Sequence, residues 1–364
     1  MVTGCCRSSR FRIAGSSDKY PRTWVFGGNK VRRDFAVEWP TLLLLVATYL
    51  LWIVATTLAA SLWLPLAVGL AAVAIAQFSS LQHEVLHGHP FRSRALNEAL
   101  VFPALNLAVP YGRFRDLHLA HHHDPALTDP YDDPESNYQD PAVWARMSRP
   151  LRALYRINNT LLGRMMVGPA IGTWHLAASD LAAARAGDRS VARAWTLHAA
   201  GVALVGLWLL GVASMPVWAY LLANYLGYSL LKIRTFLEHR AHEAARARTV
   251  IIEDRGPLAL LFLNNNLHVV HHMHPTVPWY RLPATYRANR EHYLRRNDGY
   301  LYRSYAEIFA RYFLRAKDPV PHPLWPPRPA VAGPDSAPAP VPAEWQGQWP
   351  RGRASDKPGR RPLR

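Results

Sequence analysis

Cysteine is almost absent from this sequence of 364 residues. Its two cysteines, Cys5 and Cys6, are adjacent near the N-terminus, which excludes a disulfide framework and a thiolate metal site. Residues 1–36 carry arginine and lysine but no run of apolar residues, so no cleaved signal peptide is indicated. We interpret this segment as a basic cytoplasmic leader.

Charged side chains are missing from two long stretches, 39–83 and 194–231. Each stretch is about twice the roughly 20 residues that one membrane-spanning helix needs. Breaks near Pro65 and Pro216 divide them into four spans, near 39–60, 64–82, 195–213 and 216–233. The sequence therefore predicts an α-helical integral membrane protein with four transmembrane helices in two hairpins.

Positive charge is concentrated outside these stretches. The formal net charge is +17, and basic residues flank the outer ends of both stretches, while the link inside each one is uncharged. By the positive-inside rule, both hairpins point their links outward and leave both termini and the histidine-rich segments in the cytoplasm. Contact with anionic headgroups accounts for this charge, so we expect no nucleic-acid partner. We expect the protein to be located in a bacterial inner membrane.

The ends of the chain differ from the region between them. We assign a membrane domain to 37–318. Residues 319–364 are rich in Pro, Ala and Arg without an apolar period, which predicts a disordered tail. Within the membrane domain, the apolar segment 99–105 is too short to cross a bilayer and is expected to be re-entrant or interfacial.

Histidine is the residue in excess, because 13 of the 17 histidines fall in four short segments. On a helix, residues at i, i+3 and i+4 share one face. Three segments, the histidine boxes, repeat that spacing: His83 and His87; His118, His121 and His122; His268, His271 and His272. Each box is expected to present two or three imidazoles to one point, from a helical cap on the cytoplasmic side. The isolated His175, His198, His292 and His322 are interpreted as ordinary.

These eight imidazoles exceed the four ligands of one tetrahedral zinc ion. We therefore expect two metal ions that share eight or more nitrogen ligands. Imidazole suits iron, copper and zinc alike, and redox chemistry with open coordination positions favours iron.

The motifs H-x3-H, H-x2-H-H and H-x2-H-H, with four spans and cytoplasmic boxes, resemble the membrane fatty acid desaturase superfamily, over roughly residues 40–315. The resemblance implies a lipid substrate and a non-haem di-iron centre that activates dioxygen and abstracts hydrogen from an unactivated C–H bond. It also implies one further histidine ligand, for which His239 stands in the expected place. The expected iron ligands are then His83, His87, His118, His121, His122, His239, His268, His271 and His272. No cytochrome b5-like segment is fused to the chain, so we expect a separate electron donor such as a ferredoxin-type protein.

Desaturation is not the only reaction that the motifs allow. The segments 271–275 and 278–283 are similar to the ketolase and hydroxylase branches of the superfamily, so lipid hydroxylation and carotenoid ketolation stay open. The run from His83 to His87 also matches H-E-x-x-H, the zinc protease helix in which Glu84 would be the general base. A metal-binding membrane protein without chemistry is the third alternative.

Several residues near the boxes have two interpretations. His89, His123, His242 and His274 are either further ligands or neighbours of the ligands. Asp116 and Asp124 are candidates to accept the second ring N–H of ligating histidines. Asn264, Asn265 and Asn266 either hold a metal-bound water or cap a helix. Tyr225 and Tyr228 either line an acyl channel or anchor the chain at the lipid interface.

Overall fold

The computed structural model describes residues 37–122 and 126–325. The predicted leader, residues 326–364 of the predicted tail, His123 and Asp124 lie outside the described residues.

Helices, several of them long and apolar, make up the first part of the described chain. The first two are α1 (Trp39–Leu62, with a π-helical turn at Ala55–Ala59) and α2 (Leu64–Leu86). Two short helices follow, α3 (Arg94–Leu100) and α4 (Tyr111–His121). The next five are α5 (Pro141–Arg146), α6 (Arg149–Asn158), α7 (Leu161–Arg185), α8 (Arg189–Gly211) and α9 (Val217–Thr235). Among the described helices, α1, α2 and α8 are long and apolar enough to cross a membrane. The fourth predicted span corresponds to α9, which carries Lys232 and Arg234 in its last turn.

Short elements form the remainder, around a small parallel pair of strands. These are a 3-10 turn (Ala245–Ala247), β1 (Ile251–Ile252), α10 (Pro257–Leu261), α11 (His268–Met273), α12 (Leu282–Ala288), α13 (Arg290–Arg296), β2 (Leu301–Tyr302) and α14 (Tyr305–Tyr312). The two strands pair with Ile251 opposite Leu301 and Ile252 opposite Tyr302.

The second span is longer than the charge-free stretch indicates. Helix α2 continues to Leu86, whereas the sequence places its end at Gln82, so His83 lies in the last turn and His87 is the C-cap residue. Helix α9 packs closely against α2, because a Cβ on Gly227 would lie 3.0 Å from the carbonyl oxygen of Ala72. This contact places the end of α9, and the segment that follows it, beside the first histidine box.

The segment between α3 and α4, 101–110, contains residues 101–105 of the apolar piece 99–105, for which a re-entrant or interfacial position is predicted; residues 99 and 100 belong to α3. Its backbone is irregular, and side chains of the long helices satisfy it. The Tyr220 hydroxyl donates to the Leu105 carbonyl at 2.8 Å, the Asn224 Oδ1 accepts from the Leu107 N–H at 2.9 Å, and His198 Nε2 contacts the Leu107 carbonyl at 3.0 Å. Non-helical backbone within a membrane protein persists only where the protein supplies such partners. The segment leads directly into α4, which carries the second box.

Candidate metal centre

Three elements and one loop residue bring the predicted ligands together. The first box is at the end of α2, and the second is on α4 and its C-cap residue His122. The third box forms α11, and its preceding loop reverses through Leu263 and Asn264, whose φ angles are 54° and 56°. His239 follows α9 and pairs with Thr249 in an isolated antiparallel bridge.

All nine predicted ligands lie in two groups of imidazoles. The five-histidine group contains His83, His87, His118, His122 and His271, and the four-histidine group contains His121, His239, His268 and His272. Each histidine offers one ring nitrogen as a ligand atom, and within each group these nitrogens all lie within 4.8 Å of one another.

The second and third boxes are divided between the two groups, which corrects the expectation that each box points to one place. His118 and His122 join the five-histidine group and His121 the four-histidine group, whereas His268 and His272 join the latter and His271 the former. The reason is helical geometry. Successive residues turn by about 100°, so residues at i and i+4 point nearly together, while adjacent residues diverge. Each H-x2-H-H box therefore serves two sites at once.

The nitrogen spacing fits metal coordination. Two nitrogens bound to one ion at about 2.1 Å and about 90° apart lie about 3.0 Å from each other. Pairs of Nε2 atoms have this spacing: His118–His122 at 3.0 Å, His122–His271 at 3.1 Å, His121–His239 at 2.9 Å and His239–His268 at 3.3 Å. In addition, the buried Nε2 atoms of His83 and His87 have no hydrogen-bond partner among the described residues. A buried polar atom without a partner is costly, and a metal ion at this point would satisfy both atoms.

Burial favours the neutral form of five of the nine predicted ligands. Burial, reinforced by repulsion between neighbouring imidazoles, holds the pKa well below its usual value at His87, His122, His239, His268 and His271. Neutral imidazole is the form that binds a metal.

Carboxylates from the turn before α5 hold two of the ligands in place. His121 Nδ1 lies 2.7 Å from the Asp133 Oδ1, and His118 Nδ1 lies 2.9 Å from the Glu135 Oε1. Burial lowers the pKa of His121, but Glu135 and Asp133 outweigh it and raise this pKa to about 9. Burial opposes ionisation of Glu135, yet His121 and His118 hold the pKa of this carboxyl well below its usual range. Such partners fix the ring orientation and make the ligand more basic.

These carboxylates differ from the ones that the sequence indicates. Asp116 bonds to Arg115 at 2.7 Å instead of to a histidine, and Asp124 lies outside the described residues. The signal for Asp133 and Glu135 was the acidic run that follows the second box, which otherwise indicates turns. It does not reveal which of its carboxylates face inward.

The asparagines before the third box do not cap α11, whose N-cap residue is Leu267. The Asn265 Oδ1 lies 3.0 Å from His268 Nδ1 and orients that ring. Asn266 donates to the Ile252 carbonyl at 2.6 Å, and Asn264 donates to the Trp279 carbonyl at 3.1 Å. One asparagine therefore orients a ligand, while the others fix the loop.

The undecided histidines that the structure describes lie outside both groups. His89 is buried and pairs with Glu38, at 2.6 Å between Nδ1 and Oε2. His242 pairs with Asp298 at 3.3 Å, and the His274 ring packs against Tyr293.

The two tyrosines that are candidates for an acyl channel bond to protein atoms. The Tyr225 hydroxyl donates to the Met166 carbonyl, and the Tyr228 hydroxyl donates to the Asn106 Oδ1. Asn106 belongs to the segment between α3 and α4, so Tyr228 helps to hold that segment.

Glu84 is buried and bonds to the protein. Its Oε2 accepts from the Trp279 N–H at 3.1 Å, and its Oε1 lies 3.9 Å from His83 Nδ1. A single catalytic zinc site has three protein ligands and an open position. The five-histidine group, which includes His83 and His87, departs from that pattern because it offers more ligands.

The fold and the site define a class, helical membrane proteins with two adjoining groups of buried and partly buried histidines. The model of the fatty acid desaturase family matches residues 61–305. The chain therefore belongs to the fatty acid desaturase family, as its motifs predict, and this membership makes it an integral membrane protein of a di-iron, lipid-directed oxidoreductase family. Comparison with curated proteins finds none that matches the chain.

Proposed function

We propose that this protein is a membrane di-iron oxidoreductase that uses dioxygen to desaturate a fatty acyl chain or another membrane lipid. The observation that carries the proposal is the division of nine histidines into a five-histidine and a four-histidine group. Each group offers enough nitrogen ligands for one iron ion, and the family match supplies the lipid-directed chemistry.

In this proposal one iron is bound by His83, His87, His118, His122 and His271, and the second by His121, His239, His268 and His272. The bound pair would supply dioxygen activation and the abstraction of hydrogen from an unactivated C–H bond.

The protein's own residues would orient and shield this centre. Asp133, Glu135 and Asn265 fix the rings of His121, His118 and His268 through their Nδ1 atoms. Burial of the ligands keeps bulk water away and strengthens the electrostatic interactions around them. Helices α2 and α9 lead directly from the apolar helices to the histidines. An acyl chain that lies along these helices would therefore extend toward the metal centre.

The proposed topology has four spans, with α9 as the fourth, and places both termini and the histidine groups on the cytoplasmic side of a bacterial inner membrane. The basic residues after α9 and the uncharged links support it. Reduction of dioxygen to water during desaturation takes electrons from the substrate and from a donor. A separate protein such as a ferredoxin would deliver the electrons that the substrate does not supply.

Hydroxylation or ketolation is the second candidate on the same scaffold. The outcome depends on where the target C–H bond lies, since a displacement of about 1 Å is enough to change a reaction at such a centre. The similarity of 271–275 and 278–283 to those branches supports this candidate.

Metal analysis combined with lipid mass spectrometry tests the proposal. The purified chain should carry about two irons, and cells that express it should accumulate lipids that lack two hydrogens. A gain of one oxygen would identify a hydroxylase instead. One bound zinc and no altered lipid or carotenoid would overturn the proposal.

Three variants sharpen this test. His271→Ala should abolish lipid oxidation and lower the iron content. His274→Ala removes a nearby histidine outside both groups and is the matched control, with lipid oxidation expected to persist. If Glu84→Gln abolishes activity while His271→Ala does not, the di-iron proposal is wrong.

A further inference from the structure

The segment 316–323, here called the strap, lies beyond the family match and packs against the acidic turn, 127–140. Backbone hydrogen bonds join the two. The Gln139 N–H donates to the Val320 carbonyl at 2.9 Å, and the His322 N–H donates to the Gln139 carbonyl at 2.8 Å. The acidic turn carries Asp133 and Glu135, the partners of His121 and His118. Part of the predicted tail is therefore in contact with the turn that supports the metal ligands.

Thr128, in the acidic turn, has an unfavourable backbone conformation. Its φ is +70°, in the left-handed region, where a β-branched residue is rare and costs conformational free energy. In this conformation its N–H donates to the Asp133 Oδ2 at 2.9 Å, and the Asp133 Oδ1 is the atom that contacts His121. The strained residue therefore holds the carboxylate that orients a proposed ligand.

His322 contacts the side chain of this strained residue. Its Nδ1 accepts from the Leu324 N–H at 3.2 Å, so in the neutral imidazole the proton is on Nε2. Nε2 lies 3.2 Å from the Thr128 Oγ1 and therefore donates to it. The residue is 6% exposed, and its ring packs edge-on against Tyr138. Burial lowers the pKa of His322, which keeps the imidazole neutral in this position.

We propose that His322 is a positioning residue for the four-histidine group. Its hydrogen bond holds Thr128 in the left-handed conformation, Thr128 holds Asp133, and Asp133 orients His121. The inference rests on the proposed function to the extent that it assumes a metal ion in the four-histidine group.

Iron binding by the full-length chain tests the inference without reference to activity. Loss of an outer partner of a ligand typically weakens metal binding about 10-fold to 100-fold. His322 acts through Thr128 and Asp133, so His322→Ala should weaken the binding of one of the two irons by up to this factor in a chelator competition, and the Mössbauer component of that iron should change. His322→Gln keeps an N–H donor near the Nε2 position and should retain wild-type binding. His175→Ala, which removes an imidazole that contacts Tyr155 instead of the turn, is the control and should bind iron as the wild type does.

A suppressor variant separates positioning from general damage to the fold. Glycine adopts positive φ without strain, so Thr128→Gly no longer needs the bond from His322. The double variant Thr128→Gly with His322→Ala should recover wild-type iron binding. Unchanged iron binding in His322→Ala, or no recovery in the double variant, would overturn the inference. If the wild-type chain itself fails to bind two irons, the proposed function fails instead.

Discussion

The buried ion pair between Arg113 and Asp180 offers the sharpest test of how the second histidine box is held. Arg113 is on α4, ahead of His118 and His121, and Asp180 is on α7. Two hydrogen bonds join them, Nε to Oδ2 at 2.9 Å and Nη2 to Oδ1 at 2.8 Å. Trp195 of α8 donates to the same Oδ2 at 2.9 Å. These contacts attach the box to two long helices.

The magnitude follows from burial. The side chains are 11% and 2% exposed, so removing one partner leaves a charge without compensation in a region of low dielectric. Breaking a buried pair in this way costs about 3–5 kcal/mol, whereas replacing both partners with apolar residues is often neutral or stabilising. We expect Asp180→Asn to lower the free energy of unfolding by about 3 kcal/mol, a factor of about 150 in the folding equilibrium. The double variant Arg113→Met with Asp180→Leu should recover most of this loss.

Denaturant unfolding in detergent, followed by helical circular dichroism, measures these free energies. Glu291→Gln provides the control, because its pair with Arg295 is exposed (86% and 71%) and such pairs contribute less than about 1 kcal/mol. Iron retention during chelation should decline in Asp180→Asn, since α4 supplies ligands to both groups. The contribution assigned to this ion pair is wrong if Asp180→Asn unfolds with the wild-type free energy, or if the double variant is as unstable as Asp180→Asn.

Two further predictions use matched pairs. Gly201→Ala should destabilise the chain by about 1–3 kcal/mol, because the new Cβ would lie 2.4 Å from the Phe102 carbonyl oxygen. Gly206→Ala on the same helix places its Cβ within 4 Å of none of the described residues and should stabilise the chain slightly. Thermal unfolding compares the two variants. Asp133→Asn should weaken iron binding about 10-fold to 100-fold in chelator competition, while the exposed Asp132→Asn should not, and equal effects would contradict the role given to Asp133.

Local sequence patterns carried most of the correct predictions. Charge-free stretches located α1, α2, α8 and α9, because a bilayer excludes charged side chains, whereas the 25-residue α7 lies outside both stretches. Helical spacing selected eight histidines and the family resemblance added His239, and all nine fall in the two groups. The end of α2 was predicted too early, at Gln82. Because His83 is uncharged when neutral, composition alone does not decide whether the helix continues past Gln82.

Contacts between distant parts of the chain were the ones that sequence reasoning missed. Asp116 is close to His118 in sequence, yet its position on α4 leads it to Arg115, while Asp133 returns to His121 through a turn. His322 looked ordinary because nothing in its neighbours indicates that it reaches Thr128. Such partners depend on the path of a loop, which residue spacing does not encode.

The division of the boxes shows how a local rule becomes informative only when several elements meet. The spacing H-x2-H-H keeps its three histidines on one broad face of a helix, but the adjacent middle and last histidines diverge by about 100°. Taken alone, each box on α4 and α11 would then leave one imidazole pointing away from the metal. Because α4 and α11 face each other, the histidine that diverges from one box joins the pair from the other: His121 with His268 and His272, and His271 with His118 and His122. Because the two sites share the same two helices, a change that tilts either helix should disturb both irons together.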